Sequence, residues 1–272
     1  MKILILTDGD LISTITINKI VKKFYNKNNI LIVIDDYVSA NPSMFKMDIL
    51  SITGAKSELD NVITENDRNI TKENFENKKF KKMFSLERLS SFENVSFTHI
   101  YNINKNIDFI KNYKPDTVLS IRLRNILKIP TIEACGNNNV FNFHSGTLPE
   151  FRGVYSLLRA IIQDYKYSGC TFHRIEDEGI DSGKIVFKNN IKINFNKSYQ
   201  WNLMNIYNKS MPTFLKKLTN IVDGKEIIYQ EQNKSTAKYY SFPNENDVNL
   251  LLTKLPSIID IYDIKKIINL FS

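Results

Sequence analysis

Two side chains able to do chemistry, Asn142 and His144, stand two residues apart at the end of an alternating hydrophobic run, VFNFHSGTLPEFRG (140–153). On a strand, residues i and i+2 share a face. An amide donor and an imidazole that titrates near neutrality would therefore project together. In open α/β sheets, ligands bind at the carboxyl ends of strands. The exit loop fits such a place: Gly146 permits unusual backbone angles, Pro149 stiffens the chain and Gly153 allows close backbone approach. A core histidine with its hydrogen bonds satisfied, beside a turn-forming asparagine, fits the same spacing.

A second constellation is HRIEDEGIDSGKI (173–185), an acidic connection between two strand-like runs. Most acidic loops are simply solvated. Asp181 differs, because it sits between Ile180 and the Ser182-Gly183 pair, just ahead of an apolar run. A carboxylate there can be half-buried and reach an imidazole. His173 reads as structural or pocket-lining, and His99, in the middle of a strand, is given no role.

The elements that must position these groups are legible from periodicity. KILILT (2–7) and NILIVIDDY (29–37) are continuous apolar strands, and Ile15, Ile17, Ile20, Val21 and Phe24 recur near helical spacing between them. That β-α-β unit implies a mostly parallel sheet covered on both faces. Further strands are expected at 94–101, after Pro115, at 138–146, 169–177 and 184–193, the last two antiparallel to part of the sheet. Residues 38–93 are polar and read as an irregular excursion with one or two helices. Leu203, Tyr207, Met211, Phe214, Leu218 and Ile221 mark a long amphipathic helix from Tyr199, with Pro212 a point where it can bend and Asp223-Gly224 its stop. EIIYQE and KYYSF, separated by a polar turn, suggest a hairpin, followed by a helix from about 245. The expected division is a core, 1–225, and a small hairpin/helix extension, 226–272.

Composition narrows the class. With 42% hydrophobic and 24% charged residues, the 272-residue chain has ordinary globular character. No apolar run reaches a membrane span and the first residues are too short an apolar stretch for a secretory leader, so a cytoplasmic protein with no membrane partner is expected. Cys135 and Cys170 lack metal-ligand spacing, so no metal is expected. The net charge of +8 comes mostly from scattered Lys, which argues for a solvated surface rather than a nucleic-acid partner.

Taken together, Asn142-x-His144, LPEFRG (148–153) and Asp181-Ser182-Gly183 resemble the folate-dependent formyltransferases. PDTVLSIRLRNILKIP (115–130) resembles that family's strand and following loop. The likeness is good over 115–190 and weaker at the first strand and in YYSFPNENDV (239–248). It implies an α/β, Rossmann-like formyltransferase core and 10-formyltetrahydrofolate as cosubstrate, with no metal. It further implies Asn142, His144 and Asp181 as catalytic residues. Asn142 would donate to the oxyanion, His144 would move the proton, and Asp181 would hold the imidazole. The cosubstrate would lie on Arg124, Asn125, Ile126, Leu127 and Asp177. The acceptor would lie on Arg152, Gly153, Tyr155 and Arg159, while Trp201 is expected in core packing.

The acceptor is expected from what the chain does not resemble. About 47 residues follow the long helix, ending in an apolar stretch rather than the basic barrel of methionyl-tRNA formyltransferases. TDGDLIST (7–14) is a poor phosphate cradle beside the glycine-rich loop of the glycinamide ribonucleotide enzymes. The expectation is a sugar N-formyltransferase acting on a nucleotide-linked, dTDP for choice, 3- or 4-amino-dideoxy sugar for surface polysaccharide. A homodimer through 226–272 is also expected. The alternatives are a methionyl-tRNA formyltransferase or a non-catalytic nucleotide-sugar-binding protein.

Overall fold

Aliphatic residues pack both faces of a seven-stranded sheet in the computed structural model, which describes residues 1–37, 83–136, 139–260 and 262–263. The strands are β1 (Lys2–Thr7), β2 (Asn29–Asp35), β3 (Val95–Ile100), β4 (Thr117–Ile121), β5 (Val140–His144), β8 (Thr171–Arg174) and β9 (Ile185–Lys188). Their order is β3-β2-β1-β4-β5-β8-β9. The first five are parallel; β8 pairs antiparallel with β5, and β9 antiparallel with β8, so antiparallel pairing enters at this edge as expected. Chain order reverses between β1 and β4, so the crevice where ligands bind in doubly wound sheets opens at their carboxyl ends.

One face carries α1 (Leu11–Phe24), α5 (Ser156–Ile162) and α6 (Tyr199–Val222), packed on Ile3, Ile5, Phe141, Phe143 and Phe172. The other carries α3 (Ile107–Tyr113) and α4 (Ile129–Ala134), over Leu4, Leu6, Val118 and Val140. Pleat alternation thus sends Phe141 and Phe143 into the first core and leaves Asn142 and His144 on the opposite face. Beneath them Phe143 stacks on Phe214 at 4.2 Å and meets Tyr207 edge-on at 5.2 Å. α6 is anchored by Ser198, whose hydroxyl accepts from the Trp201 N–H at 3.1 Å, and it runs unbroken through Pro212. Trp201 packs half-buried against this core.

Several expectations need adjusting. Of the polar excursion, 38–82 lies outside the described residues; 83–93 contains α2 (Leu86–Leu89). α4 and α5 have no counterpart in the sequence reading, because each is shorter than the periodicity needs to become visible. The hairpin at 226–242 does not form. Instead β11 (Tyr239–Tyr240) pairs in parallel with β6 (Arg152–Gly153), and Gln230 bridges Ile185 at the edge of β9. β-propensity was present, but the partners are distant in sequence. Two further short strands, β7 (Tyr167–Ser168) and β10 (Ile191–Lys192), pair with each other. α7 (Glu245–Lys254) begins at a reciprocal cap between Asn244 and Asp247, and its Leu251 joins the same core as the sheet.

The stacked pair under the candidate site is a stability test. Phe214→Ala should cost about 3–5 kcal/mol, read from the urea midpoint; an unmoved midpoint would mean that α6 does not carry this face.

Candidate active site

His144 ends β5 with its ring almost fully buried. Its Nε2 lies 2.8 Å from the Phe151 carbonyl oxygen, which can only accept, so this nitrogen carries a proton. The tight exit loop makes that contact: Gly146 runs so close that a Cβ there would sit 2.6 Å from the same nitrogen. The Ser156 hydroxyl, 3.1 Å from both Nε2 and the Phe151 oxygen, donates to the carbonyl. The other ring nitrogen, Nδ1, faces Asp181 Oδ2 at 3.5 Å. Burial pulls the imidazole pKa below the 6.5 usual for histidine, against the opposing pull of Asp181. At neutral pH Nδ1 therefore holds a lone pair.

Asp181 is only 8% exposed. Burial alone would favour its neutral form, but His144, His173 and the Gly153 N–H together hold its carboxyl well below the usual carboxylate range. Gly153 N donates to Oδ2 at 2.8 Å, and Asn142 Nδ2 donates to Oδ1 at 3.1 Å. An acceptor-only carboxylate leaves the Asn142 amide one orientation, nitrogen inward. Strand register supplies a fourth member. His173 stands directly across from Asn142 in the β5–β8 pair, beside a bulge at Phe172/His173. Its Nδ1 donates to the Arg174 carbonyl at 2.8 Å, and its Nε2 lies 3.3 Å from both Asn142 Nδ2 and Asp181 Oδ1.

These four residues line one wall of a cleft of about 950 Å³ at the carboxyl edge of the sheet. Arg124, Asn125, Ile126 and Leu127 line it too, on the loop leaving β4, as does Asp177. The loop is braced from below: Asn125 Nδ2 donates to the buried Asp35 carboxylate at 2.8 Å, and Asn104 Nδ2 donates to the Asn125 and Ile126 oxygens. Asp177 accepts from its own loop, at Gly179 N, 2.7 Å away. Gly153 and Tyr155 reach the cleft, whereas Arg152 and Arg159 are not among its lining residues. Arg152 donates to Gln232 Oε1 through Nε and Nη2. Arg159 pairs with Asp247 at 2.8 Å and donates to the Ser241 carbonyl, holding α5 against the C-terminal segment.

The sequence reading overlooked the floor of the cleft. Asp8 and Asp10 follow β1, and Arg122 and Arg124 follow β4; the pairs Asp8–Arg124 and Asp10–Arg122 close the gap between the two strands. Burial pushes the Asp8 carboxyl up to about 6, with Arg124 pulling the other way. Parallel pairing of β1 with β4 is the signal that joins acids near residue 9 to arginines near 123. Among the described residues no group of His, Cys, Asp or Glu is arranged to hold a metal, and no helix is long and apolar enough to cross a membrane.

Known proteins resemble this chain. Residues 29–210 match the family model described as formyl transferase. The chain is 35% identical over 136 residues to the bifunctional polymyxin resistance protein ArnA of Wigglesworthia glossinidia brevipalpis, covering 45% of this chain and 20% of that one. It is 30% identical over 155 residues to the methionyl-tRNA formyltransferase of Kosmotoga olearia, covering 55% and 48%. The chain thus spans less than half the length of these curated relatives. A solved structure with the same fold is the N-formyltransferase of Helicobacter canadensis in complex with folinic acid and dTDP-3-aminofucose, at TM-score 0.57 and 18% identity, over 91% of this chain and 72% of that one. The matched span includes Asn142, His144 and Asp181, and the chain belongs to the formyl transferase family, whose members transfer a formyl group.

Proposed function

We propose that this chain transfers a formyl group from 10-formyltetrahydrofolate to the amine of a nucleotide-linked amino sugar, dTDP-linked and 3- or 4-amino-dideoxy by preference. The observation that carries the reading is the convergence of Asn142, His144 and Asp181 on one wall of the cleft, with a basic nitrogen beside a buried carboxylate. The dTDP-3-aminofucose in the Helicobacter canadensis structure supports the class of acceptor. A cytoplasmic role in surface-polysaccharide synthesis fits that substrate pair.

10-Formyltetrahydrofolate supplies the formyl carbon, and the acceptor amine forms the new C–N bond as the bond to N10 breaks. The proton lost by the amine goes to His144 Nδ1, the one ring nitrogen with a lone pair. There it faces Asp181 Oδ2 at 3.5 Å, so the charge that develops is met by an existing carboxylate. Negative charge on the formyl oxygen is met by an Asn142 N–H. The amide spares the hydrogen that otherwise makes its long contact with His173, while the bond to Asp181 keeps it in place. The proton on Nδ1 then passes to the departing N10. Arg124 to Leu127 form the wall for the cosubstrate, and Gly153 and Tyr155 a wall for the acceptor.

The match to the Kosmotoga olearia enzyme favours a second reading, tRNA as the acceptor carrier. A panel of dTDP-, UDP- and GDP-linked amino sugars and of charged initiator tRNA, with 10-formyltetrahydrofolate and mass spectrometry of the products, separates the two. Formylation of a sugar nucleotide alone is the expected result; formylation of tRNA alone overturns the sugar reading. Asn142→Ala should lower kcat by 10²–10³, the usual loss of one oxyanion donor. His144→Ala turning over as fast as the unaltered chain would remove the site from the reaction. By NMR the His144 ring should titrate below 6.5. Because the neutral ring is the active form, kcat at saturating substrate should be retained above that pKa and lost as pH falls through it. In Asp181→Asn both should move lower still.

A further inference from the structure

The C-terminal segment beyond the long helix lies outside the 29–210 family match, yet it reaches the active site. We infer that Gln232 is a positioning residue: its side chain clamps the backbone that holds Asp181 against His144. The catalytic meaning of the clamp rests on the role given to Asp181 above.

Asp181 has φ of +50°, in the left-handed region that a residue with a Cβ seldom occupies. Such a conformation persists where the surroundings over-determine it. Here two sets of hydrogen bonds do so. The carboxylate is held by Gly153 N and Asn142 Nδ2, as above. The backbone is held by Gln232, whose Nε2 donates to the Asp181 carbonyl at 2.8 Å and to the Gly183 carbonyl at 2.7 Å. Its Oε1 accepts from Arg152 Nε at 3.1 Å and Nη2 at 2.8 Å. Both hydrogens and both lone pairs of the amide are thus in use. Carbonyls only accept and a guanidinium only donates, so the amide fits in one orientation.

The contacts close a ring. Arg152 holds Gln232, Gln232 holds the Asp181 backbone, the Asp181 carboxylate accepts from Gly153, and Gly153 follows Arg152 in the chain. The segment itself is fixed on both sides of Gln232: Gln230 exchanges two backbone bonds with Ile185 at 2.8 Å, and Tyr239–Tyr240 pairs with Arg152–Gly153. Gly153, at φ +92°, lets that pairing happen, since a Cβ would lie 2.1 Å from the Tyr240 carbonyl oxygen. Arg152 therefore braces Gln232. A misplacement of about 1 Å in a reacting group can cost 10²-fold in rate, and this ring sets the position of the one carboxylate beside Nδ1.

The test is Gln232→Glu, which keeps the shape and the Arg152 pair but replaces two donors by an acceptor facing two carbonyls. Gln232→Met, which removes the hydrogen bonds without adding charge, decides the matter if the first variant does not fold by circular dichroism. Turnover is measured with 10-formyltetrahydrofolate and a dTDP-linked 4-amino-4,6-dideoxyhexose, and the His144 titration by NMR without substrate. The ring is faced by Asp181, His173 and Arg122, and only Asp181 of these raises its pKa. The expected result is kcat lowered 10- to 100-fold with KM values within threefold, and a His144 titration moved down toward that of Asp181→Asn. Arg152→Met combined with Gln232→Glu should fall no further than the single variant. Folded variants with unchanged kcat and an unmoved His144 titration, while Asp181→Asn is inactive, overturn the clamp. If Asp181→Asn keeps full turnover, the catalytic role of Asp181 fails instead. The His144 titration in Gln232→Glu then decides the clamp by itself: a downward move upholds it and an unmoved one overturns it.

Discussion

The Phe151 carbonyl, 2.8 Å from His144 Nε2, holds a proton on that nitrogen and leaves Nδ1 as the basic atom beside Asp181. The surrounding structure is arranged to keep this polarity. The loop after β5 must turn within a few residues to bring Phe151 back over the ring, which is why Gly146 packs against the imidazole with no room for a side chain. Phe143, between the two polar residues, points the other way and is gripped by Phe214 and Tyr207 of the long helix. Strand alternation thus ties the chemistry on one face of β5 to the packing on the other.

Asp181 brings a buried negative charge into this setting, which is costly unless it is met by donors. A backbone N–H from Gly153 and the Asn142 amide each meet it at normal hydrogen-bond distance. The two imidazoles lie farther off, at 3.3 and 3.5 Å, and both favour the charged carboxylate. The arrangement suits a base that must take up a proton and give it back. At the floor of the cleft, Asp8–Arg124 and Asp10–Arg122 neutralise each other across β1 and β4. The first loop therefore offers no net positive cradle for a phosphate, in keeping with its two acids.

Local regularities were legible in the sequence. The i, i+2 spacing put Asn142 and His144 on one face, and the apolar neighbours of Asp181 marked it among several acids in the same loop. The continuous aliphatic runs disclosed the parallel centre of the sheet. Contacts set by pairing between distant segments were not legible. His173 reaches the site only because the β5–β8 register places it opposite Asn142. Gln232 lies 51 residues from Asp181 and 80 from Arg152, so no window of the chain contains the clamp. For the same reason the contacts of Arg152 with Gln232 and of Arg159 with Asp247 were hidden from any local reading. Tyr239–Tyr240 was strand-like in character, but its partner was a glycine-containing loop 87 residues away (Tyr239 against Arg152) rather than its own neighbour.

The tautomer of His144 tests the proton chemistry most directly, through the nitrogen-15 shifts of its ring in the free protein at neutral pH. A protonated Nε2 with an unprotonated Nδ1 is the state this account predicts. A proton resident on Nδ1 with a bare Nε2 would leave no base beside the acceptor amine and would contradict it.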